Sequence, residues 1–141
     1  MKYLPTTSDA TVLRTDFSDQ AAWEAVRDAI RRPSPEGFEA YVEFVDDKAF
    51  AGWTTRQLLA AVPAGYPHAF VVVVDRKAIA DPQHPLLVVN LCDDGRGSAA
   101  GAEFRALPAQ VQSIENNLSI ANMDFAEFAS AADPDGVLRG F

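Results

Sequence analysis

The sequence predicts one layered domain of the α/β or α+β class, with a mixed sheet of about five strands and about four helices. Three observations support this prediction. The chain has 141 residues, a length typical of one domain, so we assign residues 1–141 to a single globular unit. Two uninterrupted apolar runs, 69–74 and 86–91, are typical of strands covered on both faces. Segments with helical apolar spacing alternate with strands in the first half.

The chain begins with a strand and an amphipathic helix. Residues 11–15 alternate as a strand does. Ser18 follows at a position suited to cap a helix, and Pro33 ends that helix near Arg32. Its buried stripe is predicted to consist of Trp23, Val26 and Ile30.

A second strand and helix follow in the same way. Apolar and polar residues alternate over 38–45, which predicts a strand. The segment 55–62 is predicted to be a helix because Thr54 and Gln57 form a capping-box pair at its start. Both elements have a clear local signal.

The second half is predicted to be a pair of strands followed by two helices. Between the apolar runs, 75–85 is polar and contains turn signals. A short strand is expected over 103–107, then a helix around 111–118, and a last helix capped by Asp124. The two helices should cover one face of the sheet, and 137–141 forms a tail.

The charge of the chain bears on its partners. Twelve basic and twenty acidic residues give a net charge of −8. The densest basic group, Arg27, Arg31 and Arg32, is too small for a nucleic-acid footprint, so we expect no nucleic-acid partner. An acidic surface would instead suit a basic protein, or serve solubility alone.

The compartment follows from what the sequence lacks. The first seven residues contain no apolar run, and the longest apolar stretch, 69–74, is far too short to span a membrane. We therefore expect a cytoplasmic protein without membrane association. The single cysteine, Cys92, excludes a disulfide framework and is expected to be buried.

Motifs for cofactors and metals are incomplete. The glycine-rich loop 95–101 has the spacing G-x-G-x-x-x-G and precedes a strand, so we interpret it as a hairpin loop rather than a dinucleotide site. His68 and His84 are sixteen residues apart beside prolines, which favours surface loops over metal ligation. We expect no cofactor and no metal.

Two groups of polar residues are candidates for binding. Arg14 and Asp16 share one face of the first strand near its carboxyl end, where open parallel sheets hold ligands. The favoured alternative is an ion pair or a cap at the start of the first helix. Glu43 is a further carboxylate that could serve as an acid or base.

The stretch 113–125 is the second group. Asparagines are poor choices for a helix interior. In a helix, Glu115, Ser119 and Asn122 would form a polar stripe at i, i+4 and i+7. The side-chain amides of the asparagines suit either a structural hydrogen-bond network or recognition of a polar partner. The candidates from this stretch are Glu115, Asn116, Asn117, Asn122 and Asp124.

Two sequence motifs carry a resemblance to a known family. The segments Arg-Thr-Asp-Phe at 14–17 and Ser-Ile-Glu-Asn-Asn-Leu-Ser-Ile-Ala-Asn-Met-Asp-Phe at 113–125 resemble a family of small uncharacterised bacterial proteins found mainly in actinobacteria such as streptomycetes. The similarity extends over nearly the whole chain, including 41–45 and 139–141. The family is a domain of unknown function, so the resemblance implies a bacterial cytoplasmic protein without an assigned activity.

Three functional hypotheses remain. The first is a non-enzymatic protein-binding or accessory module, for example an immunity-type protein against a basic toxin, because no catalytic grouping can be completed. The second is a small-molecule-binding protein or a new small enzyme, with a crevice near Asp16 that Arg14, Glu43, Glu115 and Asn122 would join. The third is a homodimer formed through the tail 137–141.

Overall fold

Six strands of residues 2–141, the part of the chain that the computed structural model describes, form one mixed sheet. The strands are β1 (Ala10–Arg14), β2 (Val42–Val45), β3 (Phe70–Val74), β4 (Leu86–Asn90), β5 (Glu103–Ala106) and β6 (Val137–Leu138). Their order is β2-β1-β3-β4-β5-β6, and β4 runs antiparallel to the other five. The predicted mixed sheet is confirmed, with six strands in place of about five.

Five α-helices of the same residues pack on this sheet, one more than predicted. They are α1 (Gln20–Arg31), α2 (Thr55–Ala60), α3 (Arg76–Ala80), α4 (Val111–Ser119) and α5 (Phe125–Ser130). Short 3₁₀ turns occupy Lys48–Phe50 and Pro108–Gln110. With helices both between strands and after them, the fold is of the α+β class. No helix among residues 2–141 is long and apolar enough to cross a membrane.

The two faces of the sheet bury separate apolar clusters. One face is covered by α1, α3, α4 and α5, and includes Trp23, Ile114 and Phe128. The opposite face is covered by α2 and the turn that contains Phe50. Because β1 is buried on both faces, Val12 belongs to the first cluster and Leu13 to the second. The two last helices do cover one face together, as predicted.

The chain reverses its winding direction between β1 and β3. From β1 it passes through α1 to β2 on one side, then returns through α2 to β3 on the other side. The parallel strands therefore begin at one edge of the sheet, which we call the amino edge, and end at the opposite carboxyl edge. A reversal of this kind usually opens a ligand crevice at the carboxyl edge.

Several element boundaries differ from the prediction. Asp19 rather than Ser18 caps α1, since its side chain accepts a hydrogen bond from the N–H of Ala22 at 3.0 Å. The predicted strand 38–45 shortens to β2 because β1 begins at Ala10, opposite Val42, and offers no partner to the residues before it.

Two short elements escaped prediction. α3 lies in the segment 75–85, which we interpreted as a polar connection, and its five residues are too few to show a helical period. Val137–Leu138 pairs in parallel with β5 of the same chain, whereas the third of our hypotheses paired the tail 137–141 with a second copy. A two-residue strand has no readable alternation, and its place depends on where β5 lies.

Candidate functional site

The segment 37–41 is the most exposed apolar part of the amino edge. A turn after α1 places it there: the N–H of Gly37 donates to the carbonyl of Ser34 at 2.8 Å, with Gly37 at φ +87°. Phe38 and Tyr41 follow this turn with 61% and 69% of their surfaces exposed. Exposed aromatic residues close together are typical of recognition surfaces.

Glu115 fastens this segment to α4. Its Oε1 accepts a hydrogen bond from the backbone N–H of Tyr41 at 2.8 Å, and its Oε2 accepts one from the hydroxyl of Ser119 at 3.2 Å. The residue is only 6% exposed. The predicted stripe thus exists for Glu115 and Ser119, but Asn122 lies beyond the end of the helix.

Tyr41 separates two open cavities. The first, which we call the Glu115 cavity, has a volume of about 420 Å³ and lies at the amino ends of β1 and β3. The second, the Asn116 cavity, has a volume of about 390 Å³ and lies between Phe38 and α4. Tyr41 lines both. We call four side chains around the second cavity the Tyr41 surface: the exposed Phe38, Tyr41 and Asn116, and the half-buried Gln112.

The charge of this region is uniformly negative. Asp9 and Glu115 line the Glu115 cavity, and Glu39 lines the Asn116 cavity. Among the described residues that line either cavity there is no Lys or Arg. The negative charge of this region favours a positively charged ligand or partner over a negatively charged one.

The asparagines of the second candidate group divide into two kinds. Asn117 donates from Nδ2 to the carbonyl of Ser113 at 2.8 Å, and Asn122 donates to Oδ1 of Asn117 at 2.8 Å. These two residues therefore close the end of α4. Asn116 is exposed, and its side chain makes no hydrogen bond within residues 2–141, which leaves its amide available to a partner.

Asp124 and Glu43 have structural contacts of their own. Asp124 caps α5, with a hydrogen bond from the N–H of Glu127 at 3.2 Å, and the reciprocal bond of the capping box is present. Glu43 accepts a hydrogen bond from the backbone N–H of Asp9 at 3.0 Å and so ties β2 to the chain entering β1.

A chain of hydroxyl groups supports one wall of the Glu115 cavity. His68, which lines the cavity, contacts the carbonyl of Thr7 through Nε2 at 2.9 Å. Thr7 contacts Thr11, and Thr11 contacts the hydroxyl of Tyr66. Burial raises the pKa of Tyr66, against the effect of its hydrogen bonds to the two threonines, so the phenol keeps its proton to a higher pH than an exposed tyrosine does.

At the carboxyl edge, Arg14 is engaged by its own chain. It is 2% exposed, and it donates to the carbonyl of Asp16 and to Gln20 at 3.0 Å, and to Asp46 at 3.2 Å. Its guanidinium also lies over the rings of Phe17 and Trp23. Every one of these contacts joins β1 to its neighbours, as a structural cluster would.

The loop after β2 covers part of the region near Asp16, where the second hypothesis expected a crevice. The N–H of Gly52 donates to the carbonyl of Thr15 at 2.8 Å, which lays the loop after β2 over the end of β1. The cavity that remains beside Asp75 has a volume of about 210 Å³, below the roughly 300–1,000 Å³ of typical ligand sites. Asp16 and Arg14 line none of the cavities described here. They lie at one end of β1, and Glu115 lies at the other.

The glycine-rich loop joins the antiparallel strands β4 and β5, so the prediction of a hairpin loop is confirmed. Asn90, which the sequence analysis did not single out, is buried and donates from Nδ2 to the carbonyls of Cys92, Ser98 and Ala99. The prediction of a buried cysteine is wrong. Cys92 is exposed because β4 ends at Asn90 and the chain then leaves the sheet.

The side chains that could bind a metal ion do not form a cluster among the described residues. In residues 2–141 no three His, Cys, Asp or Glu side chains come close enough to hold a metal ion. His68 and His84 lie in separate loops, each with a ring nitrogen on a backbone oxygen.

Comparison with known proteins places the chain in a family. Residues 9–141 match the family described as Domain of unknown function (DUF6924). The chain belongs to this family. The match covers both segments on which the resemblance rested and agrees with the expected absence of an assigned activity, while the actinobacterial origin stays a prediction. No curated protein matches the chain.

Exposed aromatic residues at the amino edge were missed by the sequence analysis. Alternation over 38–45 grouped Phe38 with the apolar positions of a predicted strand, although Gly37 directly before it was a local signal of a turn. The meeting of Tyr41 with Glu115 joins residues 74 positions apart and has no local signal.

Proposed function

We propose that the domain is a non-enzymatic binding module that recognises a basic protein through the Tyr41 surface. The observation that carries this proposal is the pair of exposed aromatic side chains, Phe38 and Tyr41, held beside the unpaired amide of Asn116. A few residues supply most of the binding free energy at protein interfaces, and aromatic residues such as Tyr and Trp are enriched among them. Amides add adaptable hydrogen bonds.

The acidic lining of the adjacent cavities supports a basic partner. Glu36 and Glu39 are exposed in the segment that carries Phe38, and no Lys or Arg occurs between Arg32 and Lys48. A basic partner would be steered to this surface, whereas an acidic one or a nucleic acid would be repelled. An immunity-type protein that neutralises a basic toxin is one form of this function.

The alternative, a small-molecule site near Asp16, has less support. The groups that would have formed it are distributed between both edges of the sheet, and Arg14 is enclosed by its own chain. We therefore place the binding function at the amino edge.

The experiment is affinity purification from the organism that encodes the chain, with partners identified by mass spectrometry. We expect a stoichiometric basic partner whose recovery falls about tenfold or more with Phe38→Ala. Because Phe38 is largely exposed, this variant should fold normally, which a thermal melt checks. Raising the salt concentration should weaken the complex.

Tyr3→Ala is the matched control. Tyr3 is another exposed aromatic residue (53%), and it adjoins Leu4, which packs on the opposite face of the sheet. Recovery of the partner should be unchanged in this variant. Equal recovery with Phe38→Ala and wild type, or no retained protein at all, would contradict the proposed function.

A further inference from the structure

The Glu115 cavity contains a buried carboxylate without a cationic partner. Both oxygens of Glu115 are held by neutral donors, the N–H of Tyr41 and the hydroxyl of Ser119. Among residues 2–141 no Lys, Arg or His side chain forms a salt bridge with it. Buried charges in proteins are normally paired, so this carboxylate has capacity for a counter-ion.

Two further side chains of the cavity can accept hydrogen bonds. Asp9 supplies a second carboxylate. His68 contacts the carbonyl of Thr7 through Nε2, and a carbonyl can only accept, so in the neutral ring Nε2 carries the proton and Nδ1 is an acceptor. Tyr41 and Phe70 add aromatic walls, which attract cations.

We infer that the Glu115 cavity is a pocket for one arginine side chain of the protein partner. This inference rests on the proposed function and specifies the chemistry of its partner. The volume of about 420 Å³ lies within the roughly 300–1,000 Å³ of small-ligand sites. A guanidinium presents five donors to an acceptor-rich lining and stacks on aromatic rings, which an ammonium does less well.

The position of the cavity agrees with this role. Tyr41 forms part of both the cavity and the Tyr41 surface, so a side chain in the cavity would project from a chain seated on that surface. Glu115 is also the residue that holds the segment 37–41 against α4, because its Oε1 accepts the hydrogen bond from the N–H of Tyr41. Binding of a guanidinium to Glu115 should therefore change the environment of the backbone N–H of Tyr41.

The test is an NMR titration of the ¹⁵N-labelled full chain with Nα-acetyl-L-arginine amide. The matched neutral probe is Nα-acetyl-L-citrulline amide, which keeps the shape and removes the charge. We expect saturable shifts of the amide signals of Tyr41, Ser119 and Ala69 with the arginine probe, and about tenfold or more weaker binding of the citrulline probe.

Two variants test the role of the carboxylates. Glu115→Gln keeps one acceptor oxygen for the N–H of Tyr41, and its amide nitrogen can donate to the hydroxyl of Ser119. It should weaken binding of the arginine probe about tenfold or more. Asp9→Asn changes a side chain that makes no hydrogen bond among the described residues, and should weaken it less, so it tests the cavity even if Glu115→Gln destabilises the fold. Glu24→Gln, an exposed position on α1, removes the same charge and should leave binding unchanged.

Three results would overturn the inference. They are equal binding of the citrulline and arginine probes, no saturable shift at the cavity, and much tighter binding of the free polyamine spermidine at the same residues, which would assign the cavity to a small amine. Different results would contradict the proposed protein-binding function and the proposed arginine pocket. Loss of the partner in Phe38→Ala without arginine binding leaves the proposed function intact, whereas arginine binding without any partner leaves only the pocket.

Discussion

Arg14 shows how a polar residue at a strand end can serve packing rather than binding. Its guanidinium is enclosed by Phe17 and Trp23 and bonded to Asp16, Gln20 and Asp46. A buried guanidinium needs such contacts because its desolvation is costly. The sequence analysis left open a ligand contact, an ion pair or a helix cap for Arg14 and Asp16. In the structure Arg14 forms an ion pair, but with Asp46 rather than with Asp16.

We expect Arg14→Met to lower the free energy of unfolding by about 2–3 kcal/mol, because it removes three hydrogen bonds from a buried position. Urea denaturation measures the change. Asp46→Asn is the control: the side chain of Asp46 is 44% exposed, so this variant should cost less than about 1 kcal/mol. Equal losses in the two variants would show that the contacts of Arg14 add little stability.

The asparagines of α4 make the same point for the binding surface. Asn117 and Asn122 bond to their own chain, while Asn116, which directly precedes Asn117, lines a cavity. Residue type alone could not separate them. Each role depends on the position around the helix and on where the helix ends.

At the scale of the element, local signals predicted most helices and strands. The capping boxes at Thr54 and Asp124 are present because both partners lie within three residues of each other. Short elements were missed, since α3 has too few residues for a period to be visible. Its start is set by Asp75, whose Oδ1 accepts a hydrogen bond from the N–H of Ala78 at 3.1 Å.

Asp75 also joins α3 to the sheet, through hydrogen bonds from both terminal nitrogens of Arg105 at 3.0 Å and 2.7 Å. Asp75→Asn should retain the helix cap and weaken the ion pair, while Asp75→Ala loses both. We therefore expect Asp75→Ala to cost about 1 kcal/mol more than Asp75→Asn in thermal or urea unfolding. If the two variants were equally stable, the cap would contribute nothing to α3.

At the scale of the whole molecule, stability should depend on the proton of Tyr66. Burial raises its pKa above the usual value of 10, so the folded chain keeps the proton at pH values where the unfolded chain loses it. The stabilisation that comes from this difference in pKa is fully present below pH 10. It is lost as the pH rises through the higher pKa that Tyr66 has in the folded state.

Tyr66→Phe tests this dependence. We expect the wild type to lose stability more steeply than Tyr66→Phe as the pH rises above about 10, as measured by urea unfolding at successive pH values. The variant also removes the contact with Thr11, so its stability at neutral pH provides the reference for comparison. Parallel curves for the two proteins above pH 10 would contradict the raised pKa.

Local sequence patterns were sufficient to predict the fold class, the apolar central strands, the buried stripe of α1 and the caps of α2 and α5. Each of these depends on side chains within a few positions of one another, so the interaction is present in the local pattern. The family, too, was recognised from contiguous segments, and the match over residues 9–141 agrees with it.

The strand order, the short strand β6 and the location of the candidate site could be assigned only from the three-dimensional structure. The reversal of the chain between β1 and β3 brings residue 41 against residue 115 and closes the carboxyl edge with the loop after β2. Such contacts exist only once distant segments pack on a common sheet. For this reason the amino edge, with its aromatic pair and buried carboxylate, could not be assembled from local patterns alone.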